Sequence, residues 1–228
     1  MRVDFSKVVQ LSHRMLPKQE NFHLDIRVRD VTEYLPEVKH RDDIWYVLTD
    51  IEMNSHMGTH IEFPFHHYKE GVTGADFPVE QMIAPAVVLD FSHKAKDEWI
   101  SLEEVKAYDG KIQKGDIIFI RTDMDKYFRE ENWTDEVHLS EEAMDWLLGF
   151  EPVVMGTDAT GFEVPGTDYQ PNHLALFTRG IGMIESATNL KEIQNQRALV
   201  FILPLPIEGI DACPVRMIAV KDGGFIYE

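Results

Sequence analysis

The chain has 228 residues, which excludes a long multidomain assembly, and its composition, with 44% hydrophobic and 27% charged residues, favours a globular chain with one substantial core over a disordered one. With 40 acidic and 22 basic residues the formal net charge is −18. Such a field repels phosphate backbones and anionic lipids, so we expect neither nucleic acid nor a membrane as a partner. No repeat or linker divides the chain, which predicts one domain over residues 1–228.

The single cysteine, Cys213, excludes an internal disulfide and favours a reducing compartment. The first residues lack the apolar segment of an export signal, and the most apolar stretch, 198–207, is too short for a membrane span and contains Pro204 and Pro206. We therefore predict a cytoplasmic protein.

Short runs rich in apolar and β-branched residues predict strands, in chain order, over 7–11, 44–51, 86–91, 116–120, 152–155, 181–184, 198–203 and 215–220. Helices are predicted over 101–108, where Ser101 and Glu104 have the spacing of a capping box, and over 140–148, which opens on Ser140. A further helix is predicted over 189–196, and the prolines and glycine of 165–171 predict a loop before His173. The fold class is therefore α/β, with a mixed central sheet.

A cluster of histidines between residues 56 and 67 carries the main chemical signal. Gly58 and Pro64 oppose a helix there, so extended chain is predicted. Alternate side chains of extended chain share a face, which would group His56, His60 and Glu62 with His66, and place His67 on the other side in a structural or solvent role.

Two imidazoles and one carboxylate suit Zn, Mn or Fe and leave coordination positions for water and substrate. His60 and Glu62 can reach one ion, and His56 can join them if the chain curves at Gly58. A glycine there would also remove a side chain from the metal position. The alternative is that these residues are polar side chains on the solvent face of a strand, or histidines that are hydrogen-bonded within the core.

The pattern from His56 to His66 resembles the H-x-G-T-H-x-D-x-P-x-H signature of the cyclase-type metal-dependent hydrolases, which include bacterial kynurenine formamidase and isatin hydrolase. Glu62 stands where that family usually has aspartate. Weaker similarities to the family extend over most of the chain, at 9–13, 121–123, 139–143, 156–158, 172–174 and 183–190. The resemblance implies the family's swivelling β/β/α architecture and a homodimer or homotetramer.

The resemblance also implies site roles. His56, His60 and Glu62 match the ligands of a first divalent ion, Zn or Mn, and Glu62 with His173 and Glu185 matches a second ion in binuclear members. The alternative for the last two is a core histidine and a surface glutamate. His66 matches the catalytic histidine, placed to exchange a proton with water and the leaving amine.

The predicted function is metal-dependent hydrolysis of a small amide substrate, an N-formyl aromatic amine or a cyclic amide, as in arylformamidases. One alternative is a non-haem Fe(II) oxygenase with a facial triad of His60, Glu62 and His173. Another is a metal-containing small-molecule binding protein without catalysis.

Some further residues have two alternative roles each. Asp158 could hydrogen-bond a ligand histidine or form a turn. Five aromatic residues could line a substrate pocket or belong to the core: Phe22, Trp45, Phe63, Phe65 and Phe162.

Overall fold

Strands and short helices alternate along the chain in the computed structural model, which describes residues 1–134 and 136–226. The strands are β1 (Arg2–Val3), β2 (Val8–Gln10), β3 (Leu24–Asp30), β4 (Val47–Met53), β5 (His60–Glu62), β6 (Ile83–Asp90), β7 (Trp99–Ile100), β8 (Ile117–Arg121), β9 (His138–Leu139), β10 (Val154–Thr157), β11 (Gly182–Glu185), β12 (Ala198–Phe201), β13 (Ala212–Pro214), β14 (Ile218–Lys221) and β15 (Phe225–Ile226). The α-helices are α1 (Leu102–Lys106), α2 (Glu141–Leu148) and α3 (Pro171–Phe177). Single 3-10 turns lie at Phe5–Lys7, Val31–Glu33, Pro64–His66, Val79–Gln81, Met124–Tyr127, Glu131–Thr134 and Leu190–Glu192.

A nine-stranded mixed sheet forms the centre of the molecule, in the order β13-β5-β11-β10-β8-β6-β12-β14-β2. Strands β11, β10, β8 and β6 run parallel, and the strands on both sides of them pair antiparallel. Strands β3 and β4 form a separate antiparallel pair. The predicted α/β class with a mixed sheet is confirmed.

Both faces of the central sheet are covered. Every residue of β8 is buried, as expected when alternate side chains enter two different cores. Ile117 and Phe119 belong to one core, whereas Ile118 and Ile120 belong to the core that the three α-helices cover. This double burial explains why the central strands have almost continuous apolar sequences.

Both capped helices form where the sequence predicts them. Ser101 and Glu104 make the reciprocal bonds of a capping box before α1, and the Ser140 side chain accepts from the third residue of α2. The helix predicted over 189–196 is wrong, since only the 3-10 turn Leu190–Glu192 forms. Leu190 and Ile193 are both buried, and their three-residue spacing is that of a 3-10 turn.

The predicted loop before His173 is present, and α3 begins directly after it at Pro171, where proline is favoured as the first helical residue. The run predicted over 215–220 contributes only its last part to a strand, since β14 begins at Ile218. Among the described residues no helix has the length and apolarity needed to cross a bilayer.

Candidate metal centre

Strand β5 supplies the centre of the site because its two faces differ. Ile61 is buried in the sheet core, so His60 and Glu62 point to the opposite face. β11 pairs antiparallel with β5 and places Glu185 directly across from His60. Directly opposite residues of paired strands share a face, and the sheet register therefore brings a distant glutamate beside the motif.

His56 joins this group through a turn at Gly58. The His56 N–H donates to the Asn54 side chain at 2.8 Å, and Gly58 has a φ of +62°, which favours glycine. A Cβ at Gly58 would lie 3.2 Å from the Met15 side chain rather than in the metal position. The prediction that the chain curves here holds, but the reason assigned to the glycine was wrong.

His66 reaches the site because the chain does not stay extended after Glu62. Four residues of strand span roughly 13 Å. The 3-10 turn that begins at Pro64 and closes with a bond from His66 N–H to the Phe63 carbonyl instead brings His66 Nε2 to 3.6 Å from Glu62 Oε1. The prediction that the chain stays extended as far as His66 is therefore wrong, and the turn rather than strand alternation brings His66 to the site.

Glu62 lies between two groups of histidines. Its Oε1 is 3.0 Å from His56 Nδ1 and 3.7 Å from His60 Nε2. Its Oε2 lies 3.6 Å from His173 Nε2. The two carboxylate oxygens therefore face different imidazoles.

The second group consists of Glu62, His173 and Glu185. His173 Nε2 is 3.6 Å from Glu185 Oε1, and His60 Nε2 is 3.5 Å from Glu185 Oε2. One ligand atom from each of Glu62, His173 and Glu185 lies within 4.8 Å of the others, and the same holds for His56, His60 and Glu62. All five residues predicted as metal ligands are thus brought together, together with His66.

The donor set fits divalent ions. Glu62 is 2% exposed, yet its Oε2 has no hydrogen-bond partner, and a buried carboxylate oxygen without a partner is costly. Burial and the neighbouring charge of Glu62 raise the pKa of Glu185, while the surrounding histidines hold the pKa of Glu62 well below its usual range against the effect of burial. A cation between the two carboxylates would remove this repulsion.

The metal-free histidines are strongly basic. Burial opposes the charge of His56, but hydrogen bonds to Glu62 and Asp211 raise its pKa to about 9. Burial likewise opposes the charge of His173, but Glu163 and Glu185 raise its pKa to about 10. At neutral pH both rings therefore carry a proton that a metal ion would displace.

Two carboxylates at the site were not predicted from the sequence. Asp211 Oδ2 accepts from His56 Nε2 at 2.9 Å and from His66 Nδ1 at 3.0 Å. Glu163 Oε2 accepts from His173 Nδ1 at 2.7 Å. Neither residue lies within the histidine motif, and no local spacing marks Asp211, which follows His66 by 145 residues.

A cavity of about 210 Å³ opens beside the first group of ligands. His56, His60 and Glu185 form part of its wall, together with the aromatic residues Phe22, Phe128 and Trp133. Phe128 stacks on His13, with ring centroids 3.9 Å apart. The cavity therefore has a polar side, formed by three of the candidate ligands, and an aromatic side.

Of the five aromatic residues considered as pocket lining, only Phe22 lines this cavity. Phe63 and Phe162 are buried in the two cores of the sheet, and Trp45 is 84% exposed. Phe65 is also absent from the cavity wall. Phe128 and Trp133 take the predicted role, since the 3-10 turns at 124–127 and 131–134 carry them to the cavity.

The structure also shows the surroundings of three other residues considered in the sequence, Asp158, His67 and Cys213. Asp158 accepts from the backbone N–H groups of Thr122 and Asp123 and thus fixes a turn. His67 stacks on Phe177 with an interplanar angle of 18°, but its ring centroid also lies 5.0 Å from that of His173, so its predicted placement away from the ligand histidines is wrong. Cys213 is 2% exposed, and burial raises the pKa of its thiol.

Comparison with known proteins gives the same family as the motif. The family described as "Putative cyclase" matches residues 9–164. A kynurenine formamidase of Salinibacter ruber is 26% identical over 181 residues, which cover 79% of this chain and 82% of that protein. An uncharacterized protein of Methanocaldococcus jannaschii is 28% identical and covers 77% of this chain and 83% of its own length.

Solved structures show the same fold. An isatin hydrolase bound to the product analogue thioisatinate superimposes with a TM-score of 0.78 at 22% identity, covering 93% of this chain and 91% of the other. Isatin hydrolase A from Labrenzia aggregata gives a TM-score of 0.75 at 22% identity, with coverage of 93% and 92%. The chain belongs to the cyclase family.

Proposed function

We propose that this protein is a metal-dependent hydrolase of a small amide, either an N-formyl aromatic amine or a cyclic amide. The observation that carries the proposal is the cluster around Glu62, in which each carboxylate oxygen faces different histidines. The names of the relatives, kynurenine formamidase and isatin hydrolase, support a C–N bond as the site of hydrolysis.

His56, His60 and Glu62 would hold a first divalent ion, and His173 and Glu185 would share Glu62 to hold a second. These nitrogen and oxygen donors suit Zn or Mn. When bound, such an ion lowers the pKa of a coordinated water towards about 7 and polarises a substrate carbonyl.

His66 is the general acid and base of this proposal. Its Nε2 faces the ligand cluster, 3.6 Å from Glu62 Oε1, while its Nδ1 is engaged by Asp211. Nε2 can take a proton from the attacking water and return it to the leaving nitrogen, which otherwise departs poorly. Such transfer typically contributes about 10²- to 10⁴-fold to the rate.

The cavity favours a substrate with one aromatic ring. Its volume of about 210 Å³ exceeds the roughly 150 Å³ that holds a benzene molecule in an engineered apolar cavity. Phe22, Phe128 and Trp133 can contact such a ring while the amide carbonyl faces His56 and His60.

The test combines metal analysis with hydrolysis assays. The purified protein is expected to contain one or two Zn or Mn ions per chain and to hydrolyse at least one of N-formylkynurenine, formanilide and isatin. Turnover should persist without O₂, since an Fe(II) oxygenase would stop. His66→Gln should keep its metal and lose at least a hundredfold in kcat; wild-type turnover in that variant would reject the assignment of His66.

We also propose that the protein is a homo-oligomer in the cytoplasm. The antiparallel pair of β3 and β4 exposes Ile26, Val28 and Ile51 on one face, and a two-stranded sheet with an apolar face needs cover to be stable. A second copy could supply that cover by pairing the same face with itself. Light scattering should then show at least a dimer, and Ile51→Glu should yield monomers; a monomeric wild type would reject the proposal.

A further inference from the structure

Asp211 joins the two parts of the site through a single atom. Its Oδ2 accepts from His56, a proposed metal ligand, at 2.9 Å and from His66, the proposed acid and base, at 3.0 Å. The two rings lie with their centroids 4.5 Å apart. Glu62 faces His56 Nδ1 and His66 Nε2, and Asp211 faces the other nitrogen of each ring. Among the described residues no other carboxylate contacts both of these other nitrogens.

The contacts determine where each ring carries its hydrogen. A carboxylate oxygen only accepts, so the nitrogen that faces Asp211 must donate. Without metal, both nitrogens of His56 face a carboxylate, Nδ1 that of Glu62 and Nε2 that of Asp211, and both donate. When a metal ion displaces the Nδ1 hydrogen, Asp211 keeps the hydrogen on Nε2 and the Nδ1 lone pair is directed at the ligand cluster. His66 carries hydrogen on Nδ1, which leaves Nε2 free on the side of the ligand cluster.

Asp211 is itself held in place on several sides. Its other oxygen, Oδ1, accepts from the Ser55 hydroxyl at 2.9 Å. Its backbone carbonyl accepts from Phe63 N–H at 2.8 Å, immediately before the turn that carries His66. β13 starts at the next residue and pairs with β5, so the main chain fixes Asp211 relative to both histidines.

We propose that Asp211 is a positioning residue that sets the tautomers of His56 and His66 together. Metal retention and proton transfer thereby depend on one carboxylate, which does not itself line the cavity but contacts His56 in its wall and His66. The part that concerns proton transfer rests on the proposed hydrolase function. The part that concerns His56 rests only on metal binding.

An ion held between Asp211 and the two histidines would require the opposite tautomer of each ring. His56, His66 and Asp211 lie close enough to hold an ion between them. An ion there would need the lone pairs of His56 Nε2 and His66 Nδ1, and hydrogen would move to the other nitrogen of each ring. The two arrangements can therefore be distinguished by where the hydrogens are.

The variant Asp211→Ala removes the acceptor from both rings. Loss of such a carboxylate typically costs about 10- to 100-fold in metal affinity or activity. We expect zinc affinity to fall by that factor and kcat, measured at saturating zinc, to fall by about the same factor, while KM changes less than twofold. Asp211→Asn keeps one acceptor and should lie between Asp211→Ala and wild type. Asp109→Asn, on an exposed loop, is the matched control and should change neither quantity.

Wild-type zinc affinity and kcat in folded Asp211→Ala would overturn the proposal. Nitrogen-15 NMR of the zinc-loaded wild type decides the same point without any variant: hydrogen on Nε2 of His56 and Nδ1 of His66 is expected, and the opposite tautomers would overturn it. If the wild type hydrolysed no amide, the proposed function would fail, but the zinc affinities and the NMR result would still decide the role of Asp211.

Discussion

Glu163 offers a stringent test of how the structure holds His173. Its Oε1 accepts from the backbone N–H groups of Val164 and Asn172, at 2.7 and 3.0 Å. Its Oε2 accepts from both the backbone N–H and the Nδ1 of His173, at 3.0 and 2.7 Å. One side chain therefore caps the first turn of α3 and orients the histidine within it.

The change Glu163→Gln preserves the shape but leaves one oxygen to accept. The amide NH₂ must then face either the N–H groups of Val164 and Asn172 or the N–H and Nδ1 of His173, in a side chain that is only 14% exposed. Two lost charge-assisted bonds, partly replaced by water, should cost roughly 2 to 4 kcal/mol of unfolding free energy. For a chain of this size that corresponds to about 4 to 16 °C in Tm.

The assay is urea denaturation of metal-free protein, because bound metal would add its own stabilisation. Glu70→Gln, at an exposed position, is the matched control. Burial opposes the charge of Glu163, but its bonds to His173 and the helix N–H groups lower its pKa below the ordinary 4.5. The stabilisation should therefore be complete above pH 4.5 and decline as the pH falls below it. A loss no larger than that of the control at pH 7 would refute the reasoning.

Other perturbations test separate parts of the site. Because the pKa values of His56 and His173 are about 9 and 10 without metal, zinc binding at pH 7.5 should release protons, and zinc affinity should increase as the pH rises towards 9. Calorimetry in two buffers of different ionisation enthalpy measures the proton release. Equal binding enthalpies in the two buffers would contradict this prediction. Gly58→Ala, at a φ of +62° and against Met15, should cost about 1 to 2 kcal/mol in urea denaturation, and an unchanged midpoint would contradict the strain argument. Phe22→Ala should raise KM for an aromatic amide about threefold to tenfold with kcat unchanged, because Phe22 lines the cavity and is 52% exposed. An unchanged KM would mean that the aromatic ring of the substrate binds elsewhere.

The sequence alone determined the central strands, both capped helices and the motif residues of the site. Apolar runs such as 117–120 mark strands buried on two faces. Ser101 and Ser140 mark helix starts because a capping side chain satisfies backbone groups within three residues of itself. His56, His60, Glu62 and His66 lie within eleven positions, so local spacing was enough to group them.

The spacing of the motif does not show what surrounds it: His173 and Glu185 were expected only from the resemblance, and the tertiary structure alone revealed Asp211 and Glu163. Sheet register placed Glu185 opposite His60, and β13 carried Asp211 to His56 and His66. Of the aromatic side of the cavity, the sequence predicted Phe22 but not Phe128 and Trp133, which lie at 3-10 turns that no periodicity predicts. Local spacing records only neighbours along the chain, whereas a strand pairing or a loop that closes over a cavity joins residues through the packing of the whole sheet. For that reason the proposed ligands within the motif could be predicted from the sequence, whereas Asp211 and Glu163, which accept from the histidines, could not.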